Sequence, residues 1–210
     1  MEWIVFDYGG VICFDPPEEA GVLLSEAIGA PPAEFWPAYW ADRAAYDQGV
    51  LDAAGFWHKT GARLGRPIEA DLLPVLAELD RRTWTHLNDD TIALLEELAG
   101  EGAALALLSN APAELARHIE SQPWAELFRH RFFSADLRLV KPDPEIYLRV
   151  CEGLGAAPED LVFIDDRPEN LDAARELGIT PILYTDTPSL RAELGRARAC
   201  PPSLDGRSPL

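Results

Sequence analysis

Trp3-Ile4-Val5-Phe6-Asp7-Tyr8-Gly9-Gly10-Val11-Ile12 is the stretch on which the reading of this chain turns. A β-branched and aromatic run ends abruptly in an acid, and a glycine pair follows after one residue. With no polar alternation, Trp3 to Phe6 predicts a strand buried on both faces, as in a parallel sheet. Asp7 then stands at the strand's C-terminal end, the rim where open α/β sheets bind ligands. Gly9 and Gly10 let the backbone turn tightly and approach a partner closely. An Asp at a strand end also caps turns, so this residue alone leaves both readings open.

The chain returns to the same rim three more times. Ala103-Ala-Leu-Ala-Leu-Leu108 is a second buried run and ends in Ser109-Asn110. Leu161-Val-Phe-Ile164 is another and ends in Asp165-Asp166, while Lys141-Pro-Asp-Pro144 opens a helix predicted from Glu145 to Leu154. Arg131–Ser134 and Thr180–Tyr184 complete the predicted strands. Helices are expected from Asp89 or Asp90 to Leu98, from Pro112 to about Ile119, and from Pro168 to Gly178. Strand and helix alternate, so the fold class is α/β, a doubly wound parallel sheet.

Between Pro16 and Trp84 no strand pattern appears. Helices are predicted over Glu18–Ile28, Ala33–Tyr46, from an Asp52 cap to about Gly65, and over Glu69–Trp84 with Pro74 in its first turns. The expected organisation is a core of residues 1–15 and 85–195, a helical insertion at 16–84, and a loosely ordered Pro- and Gly-containing tail at 196–210. The aromatic series Phe35, Trp36, Tyr39, Trp40 and Tyr46 reads as the core of that bundle, with a substrate cage as the alternative.

Composition narrows the function. The 210 residues are 48% hydrophobic, ample for a core, and carry 36 acids against 18 bases, a formal charge of −18. Nucleic-acid binding and adhesion to anionic membranes both need basic surface and are disfavoured. No apolar run reaches membrane length. The chain enters its first strand without a signal-peptide pattern, and Cys13, Cys151 and Cys200 are scattered and odd in number. Reduced thiols and a cytoplasmic location are the expectation. Cys13 reads as a small buried apolar residue, and the four histidines show no metal spacing.

Asp7, Ser109, Lys141 and the Asp165-Asp166 pair all fall at strand-to-helix passages, so they can meet at one crevice. A helix start after Asn110 and the Lys141 charge favour an anion. Crowded carboxylates repel one another unless a divalent ion intervenes, and magnesium takes such all-oxygen ligands together with substrate phosphate. Three carboxylates balance one divalent ion plus one lysine.

These four segments, Phe-Asp7-Tyr-Gly-Gly-Val, Leu-Leu-Ser109-Asn, Val-Lys141-Pro-Asp-Pro and Phe-Ile-Asp165-Asp166-Arg-Pro-Glu-Asn, resemble the ordered motifs of the haloacid dehalogenase superfamily. The helical insertion sits where that family's first-type cap lies, and the resemblance spans roughly residues 1 to 190. It implies a Rossmann-like core and a magnesium-dependent phosphatase acting on a small phosphorylated metabolite, such as a sugar phosphate. Asp7 would be the nucleophile that becomes an aspartyl-phosphate. Ser109 and the Asn110 backbone would hold phosphoryl oxygens, and Lys141 would orient Asp7 and offset charge. Asp7, Asp166, the Gly9 carbonyl, and Asp165 directly or through water would hold Mg2+. Phosphatases of the family usually carry a second Asp where this chain has Gly9. A carbonyl ligand survives that change, and a general acid does not.

The departure keeps rivals in play. A 2-haloacid dehalogenase also lacks that acid, but it differs in the fourth motif and needs no metal. A catalytically weak binding or regulatory protein would keep the fold without turnover. A phosphorylated receiver gathers similar groups, but with its acidic pair at the first strand and no insertion. If the chain is an enzyme, the leaving-group proton comes from water, from the substrate, or from a cap side chain such as Tyr46 or Asp47. Turnover is then expected to depend steeply on leaving-group acidity. Arg43, Tyr46 and Gln48 are the candidates for cap residues facing the crevice, and the oligomeric state is not legible.

Overall fold

The computed structural model describes residues 2–199. β1 (Trp3–Phe6) leads directly into a helical block of α1 (Glu18–Ile28), α2 (Pro32–Ala41), α3 (Arg43–Asp47), α4 (Ala53–Arg63) and α5 (Leu73–Thr83). Then come α6 (Asp89–Gly100), β2 (Ala104–Ser109), α7 (Ala113–Glu120), β3 (His130–Phe133), α8 (Ser134–Leu137) and α9 (Pro144–Leu154). The chain continues through β4 (Leu161–Asp165), α10 (Pro168–Glu176), β5 (Thr180–Leu183) and α11 (Thr187–Ala199). Short 3-10 turns lie at Pro123–Leu127 and Pro158–Asp160.

The five strands form one parallel sheet in the order β3-β2-β1-β4-β5. The chain builds outward on one side of β1 and then crosses to the other, which makes β1 and β4 the switch point where such sheets open a crevice. Register decides what meets there. Phe6 pairs with Leu107 and with Ile164, so Asp7 emerges beside Asp165, with Ser109 at the end of the next strand.

Why the strands read as unbroken apolar runs is visible in their packing. Ile4, Phe6, Leu105, Leu107, Val162 and Ile164 share one core with residues of α6, α7 and α11. The alternate residues Trp3, Val5, Ala106, Leu108, Leu161 and Phe163 share another with residues of α9 and α10. Both faces are covered, and each fully buried large side chain is worth about 1.5–3 kcal/mol. The helical block has a third core, built on Leu24, Phe35, Tyr39, Tyr46, Phe56, Trp57 and Leu76. Most of the aromatic series is therefore bundle core, while Trp40 is 48% exposed.

Several element boundaries differ from expectation. The single helix expected over Ala33–Tyr46 is two, α2 and α3, because the backbone leaves helical geometry at Asp42 (φ −119°). Asp42 is drawn off by α4, accepting from Arg63 Nε at 2.7 Å and Lys59 Nζ at 3.4 Å. The helix expected from Glu69 starts at Leu73, with Pro74 in its opening positions, where a missing N–H costs least. β3 runs His130–Phe133, and Ser134 instead begins α8, which has no signal of its own in the sequence. Residues 196–199 are not tail but the end of α11, whose Leu190 and Leu194 are buried against the sheet. The rest of the expected tail, 200–210, lies outside the described residues. Among the described residues no helix is long and apolar enough to cross a membrane.

Candidate active site

Asp7 is tied to the neighbouring strand by its N–H, which donates to the Ile164 carbonyl at 2.9 Å. The turn that follows closes on one acceptor: the N–H groups of Ile12 and Cys13 both reach the Tyr8 carbonyl at 2.8 Å. At Gly10 the backbone has φ 72°, and a Cβ there would lie 2.4 Å from Asp166 Oδ2. Only glycine fits that position. Gly9 is different. Its φ is not positive, and a Cβ there would make ordinary contact with Trp84 at 3.4 Å.

Lys141 is buried between two carboxylates, with Nζ 2.7 Å from both Asp7 Oδ1 and Asp165 Oδ2. A third bond goes to the Leu108 carbonyl at 3.2 Å, so every ammonium proton is directed. The ammonium also sits 5.3 Å from the Phe163 ring centre. Burial alone would lower the Lys141 pKa, but Asp7 and Asp165 reverse this and the net direction is upward. Its backbone is fixed by Asn110, whose side chain accepts from Lys141 N–H at 2.8 Å and donates to Lys141 O at 2.9 Å. Sequence reasoning gave Asn110 a backbone role toward phosphate and missed this clamp, which depends on a contact across 31 residues.

Asp165 is fully enclosed, and its carboxylate is already saturated. Oδ1 accepts from Arg167 N–H and Asn170 Nδ2, both at 2.9 Å, and Oδ2 accepts from Asn170 at 3.0 Å as well as from Lys141. Any part it takes in holding a cation competes with these bonds. Asn170 was not singled out in the sequence, although it lies on the first turn of α10 beside the acidic pair. Asp166 is half-buried in the crevice wall, and burial followed by the Asp165 charge pushes its carboxyl up to about 6. Asp7 is also raised, by burial first and by Asp165, with Lys141 opposing. A divalent ion would relieve this stress. Asp7, Asp165 and Asp166 each offer an oxygen within 4.8 Å of the others, a hard all-oxygen set.

Ser109 is buried at the crevice, but the passage into α7 is less open to an anion than expected. Ala111 N–H donates to Ser134 Oγ at 2.9 Å and Pro112 has no N–H, which leaves Ser109 and the Asn110 N–H as the candidates at this passage to meet an anion. Cys13 is buried, and burial pushes its thiol up to about 11, consistent with a packing residue.

The crevice has a volume of about 320 Å³. Its floor is Asp7, Gly9, Ser109, Lys141 and Asp166, and its roof comes from Trp40, Arg43, Asp47 and Trp84. Of Arg43, Tyr46 and Gln48, the residues expected to face the crevice, Arg43 lines it, and so does Asp47, named with Tyr46 as a possible proton source. Tyr46 is buried in the cap, with its hydroxyl donating to Glu114 at 3.2 Å, and Gln48 donates to the Arg138 carbonyl. Helical spacing explains the exchange: the break at Asp42 turns residues 43 and 47 of α3 to the crevice, one turn apart.

Comparison with known proteins agrees with this geometry. The family description "haloacid dehalogenase-like hydrolase" matches residues 1–178. The chain is 27% identical to a sesquiterpene phosphatase of Aspergillus oryzae over 200 residues, 93% of this chain and 96% of that one. It is also 27% identical to a phosphorylated carbohydrates phosphatase of Thermotoga maritima over 198 residues, covering 87% and 84%. In fold it is similar to a haloacid dehalogenase-family enzyme of Bacteroides thetaiotaomicron, solved as a magnesium complex, with TM-score 0.73, 21% identity, and 88% and 93% coverage. With four motifs converging on one rim and a family match over most of its length, the chain belongs to the haloacid dehalogenase-like hydrolases and has phosphatases among its relatives.

Proposed function

We propose that the chain hydrolyses phosphomonoesters of small organic alcohols through a phosphorylated Asp7. The observation that carries this is the fixing of the Asp7 carboxylate. Oδ1 is held by Tyr8 N–H and by Lys141, both at 2.7 Å, which leaves Oδ2 for the crevice. A carboxylate locked at one oxygen is an oriented nucleophile, and orientation removes much of the entropic barrier. Ser109 and the Asn110 N–H receive the phosphoryl oxygens, and Lys141 offsets the charge that develops there.

The donor set fits magnesium. Asp7, Asp166 and the Gly9 carbonyl would hold it, with Asp165 nearby, and it would supply charge neutralisation for a dianionic substrate. Trp40 and Trp84 offer flat apolar surface to the alcohol portion, whether the face of a sugar ring or a hydrocarbon. The named substrates of the two relatives differ in just this portion.

The test is p-nitrophenyl phosphate turnover with magnesium, followed by a panel of sugar, prenyl and nucleoside phosphates. Asp7→Asn keeps the shape and removes the charged nucleophile, and it should lower kcat by more than about a thousandfold. Chelation of divalent ions should abolish native activity. Halide release from 2-haloacids after chelation, with no phosphate release, would replace this reading by dehalogenase chemistry.

A further inference from the structure

The crevice has a nucleophile on its floor and no carboxylate at Gly9 to protonate a leaving alcohol. We infer that Asp47, in the crevice roof, is the residue that donates this proton, with Arg43 and Asp80 as its positioning residues. The inference rests on the phosphatase reading above.

Position and exclusion carry the argument. Asp47 lines the same crevice as Asp7 and is 9% exposed. Its Oδ1 accepts from Arg43 Nε at 2.7 Å, and its Oδ2 is the oxygen left for a proton and the substrate. The other crevice groups are committed or unsuited. Lys141 has its ammonium on Asp7, Asp165 and Leu108 O. Asp166 belongs to the cation set, and the Tyr8 hydroxyl donates to the Trp84 carbonyl at 2.5 Å. Arg43 is committed to Asp47 and Asp80, and Arg167 pairs with Glu169 at 2.8 Å. Asp15 is exposed.

The roof also keeps a proton available. Arg43 faces two buried carboxylates: Asp47, and Asp80 of α5, whose Oδ1 lies 3.3 Å from Nη1. One guanidinium balances one of them, so the group binds a proton rather than hold an excess negative charge away from water. Tyr39 donates to Asp80 at 2.6 Å, and Trp84 Nε1 donates to Tyr39 at 3.3 Å, which fixes the arrangement. The charged and titratable groups around Asp47 are Arg43 on its own helix, Asp80 on α5 and Arg167 before α10, with Tyr46 and Glu114 behind Asp80. Burial is the largest influence and Arg43 opposes it, and the Asp47 carboxyl is pushed up to about 6. That value suits an acid working near neutrality.

The step balances. An Asp7 oxygen attacks phosphorus as the bond to the alcohol oxygen breaks, and that oxygen takes the Asp47 proton. The Asp47 carboxylate so formed is paired with Arg43. In the second half Asp47 takes a proton from the water that attacks phosphorus, the Asp7–phosphorus link breaks, and phosphate leaves with Asp47 protonated again.

The experiment compares an aryl phosphate, p-nitrophenyl phosphate, with an alkyl phosphate, glycerol phosphate, under single-turnover conditions with magnesium. In the native enzyme the leaving-group dependence should be shallow, the reverse of the expectation drawn from Gly9 alone. Asp47→Asn should lose about a hundred- to ten-thousandfold on the alkyl ester and little on the aryl ester. It should also lose the fall in alkyl turnover with rising pH. Asp47→Glu should recover part of the alkyl rate. Gly9→Asp placed in the Asp47→Asn background should recover at least tenfold, since that backbone accepts a Cβ and a structural defect in the cap would not be repaired from the floor. Equal losses on both esters without recovery, or no loss on either, would overturn the role of Asp47 and leave the phosphatase reading standing. Absence of aryl phosphate hydrolysis by the native enzyme would remove both.

Discussion

Gly10 and Gly9 are adjacent and do different work. At Gly10 the left-handed backbone and the Asp166 carboxylate 2.4 Å from a would-be Cβ leave no room for a side chain. Gly10→Ala should cost about 1–2 kcal/mol from backbone strain and push Asp166 aside. The expected signature is a higher magnesium requirement, seen as a rightward shift when activity is titrated with the metal, larger than any fall in kcat at saturation. An unchanged midpoint would mean Asp166 is not a ligand. Gly9 has neither constraint, so its lack of a side chain is not demanded by the fold. On the proposal above, Asp47 in the opposite wall supplies the carboxyl that this turn lacks.

Among the elements, α3 has the largest consequence for its length. It is only five residues long and is cut from α2 at Asp42. It places Arg43 and Asp47 toward the crevice, while Ser134 Oγ at the start of α8 donates to the Asp47 carbonyl at 2.5 Å. This bond joins α3 to α8 beside the Asp47 side chain. Burial of Asp47 has a price in stability that depends on pH. Its carboxyl titrates near 4 in an unfolded chain and at about 6 when folded. Between these values the folded state binds the extra proton, so the Asp47 contribution is fully present below about 4 and is lost as pH rises through about 6. Melting temperature measured across this window should fall with pH more steeply for the native protein than for Asp47→Asn. Parallel curves would show that Asp47 is ionised throughout.

The whole molecule is a sheet carrying a helical block on two crossings of the chain. Those crossings are paired with each other: Phe14 N–H donates to His86 O at 2.9 Å, and Asn88 N–H to Ile12 O at 2.8 Å. A two-stranded connection of this kind can flex as a unit while each core stays packed. Closing the block over the crevice would bring Trp40, Arg43 and Asp47 onto the substrate and exclude water. Hydrogen exchange at residues 13–17 and 84–88 should slow when magnesium and a phosphate analogue bind together. No change at these crossings would argue for a fixed roof.

Much of this was legible in the sequence because it is governed by local pattern. Unbroken apolar runs ending in Asp7, Ser109 and Asp165 gave the parallel sheet and its functional rim, since strands buried on both faces cannot alternate. Helix starts and stops at Asp52, Pro144 and Gly155 are likewise set by a few neighbouring residues, and the structure has a cap or terminus at each. Other features depended on partners distant in the chain. The break at Asp42 answers to Lys59 and Arg63, Asn110 clamps Lys141, and Asn170 saturates Asp165. Tyr46 and Asp47 differ by one position, and the sequence allowed either to face the substrate. The helix break at Asp42 and the packing of Tyr46 against Phe56, rings stacked 4.5 Å apart, together turn its neighbour to the crevice. Sequence alone determined which chemical groups share the rim, because strand ends are a local property. Tertiary structure alone decided which oxygen of each carboxylate is already taken and which is free, because that follows from contacts among segments far apart in the chain.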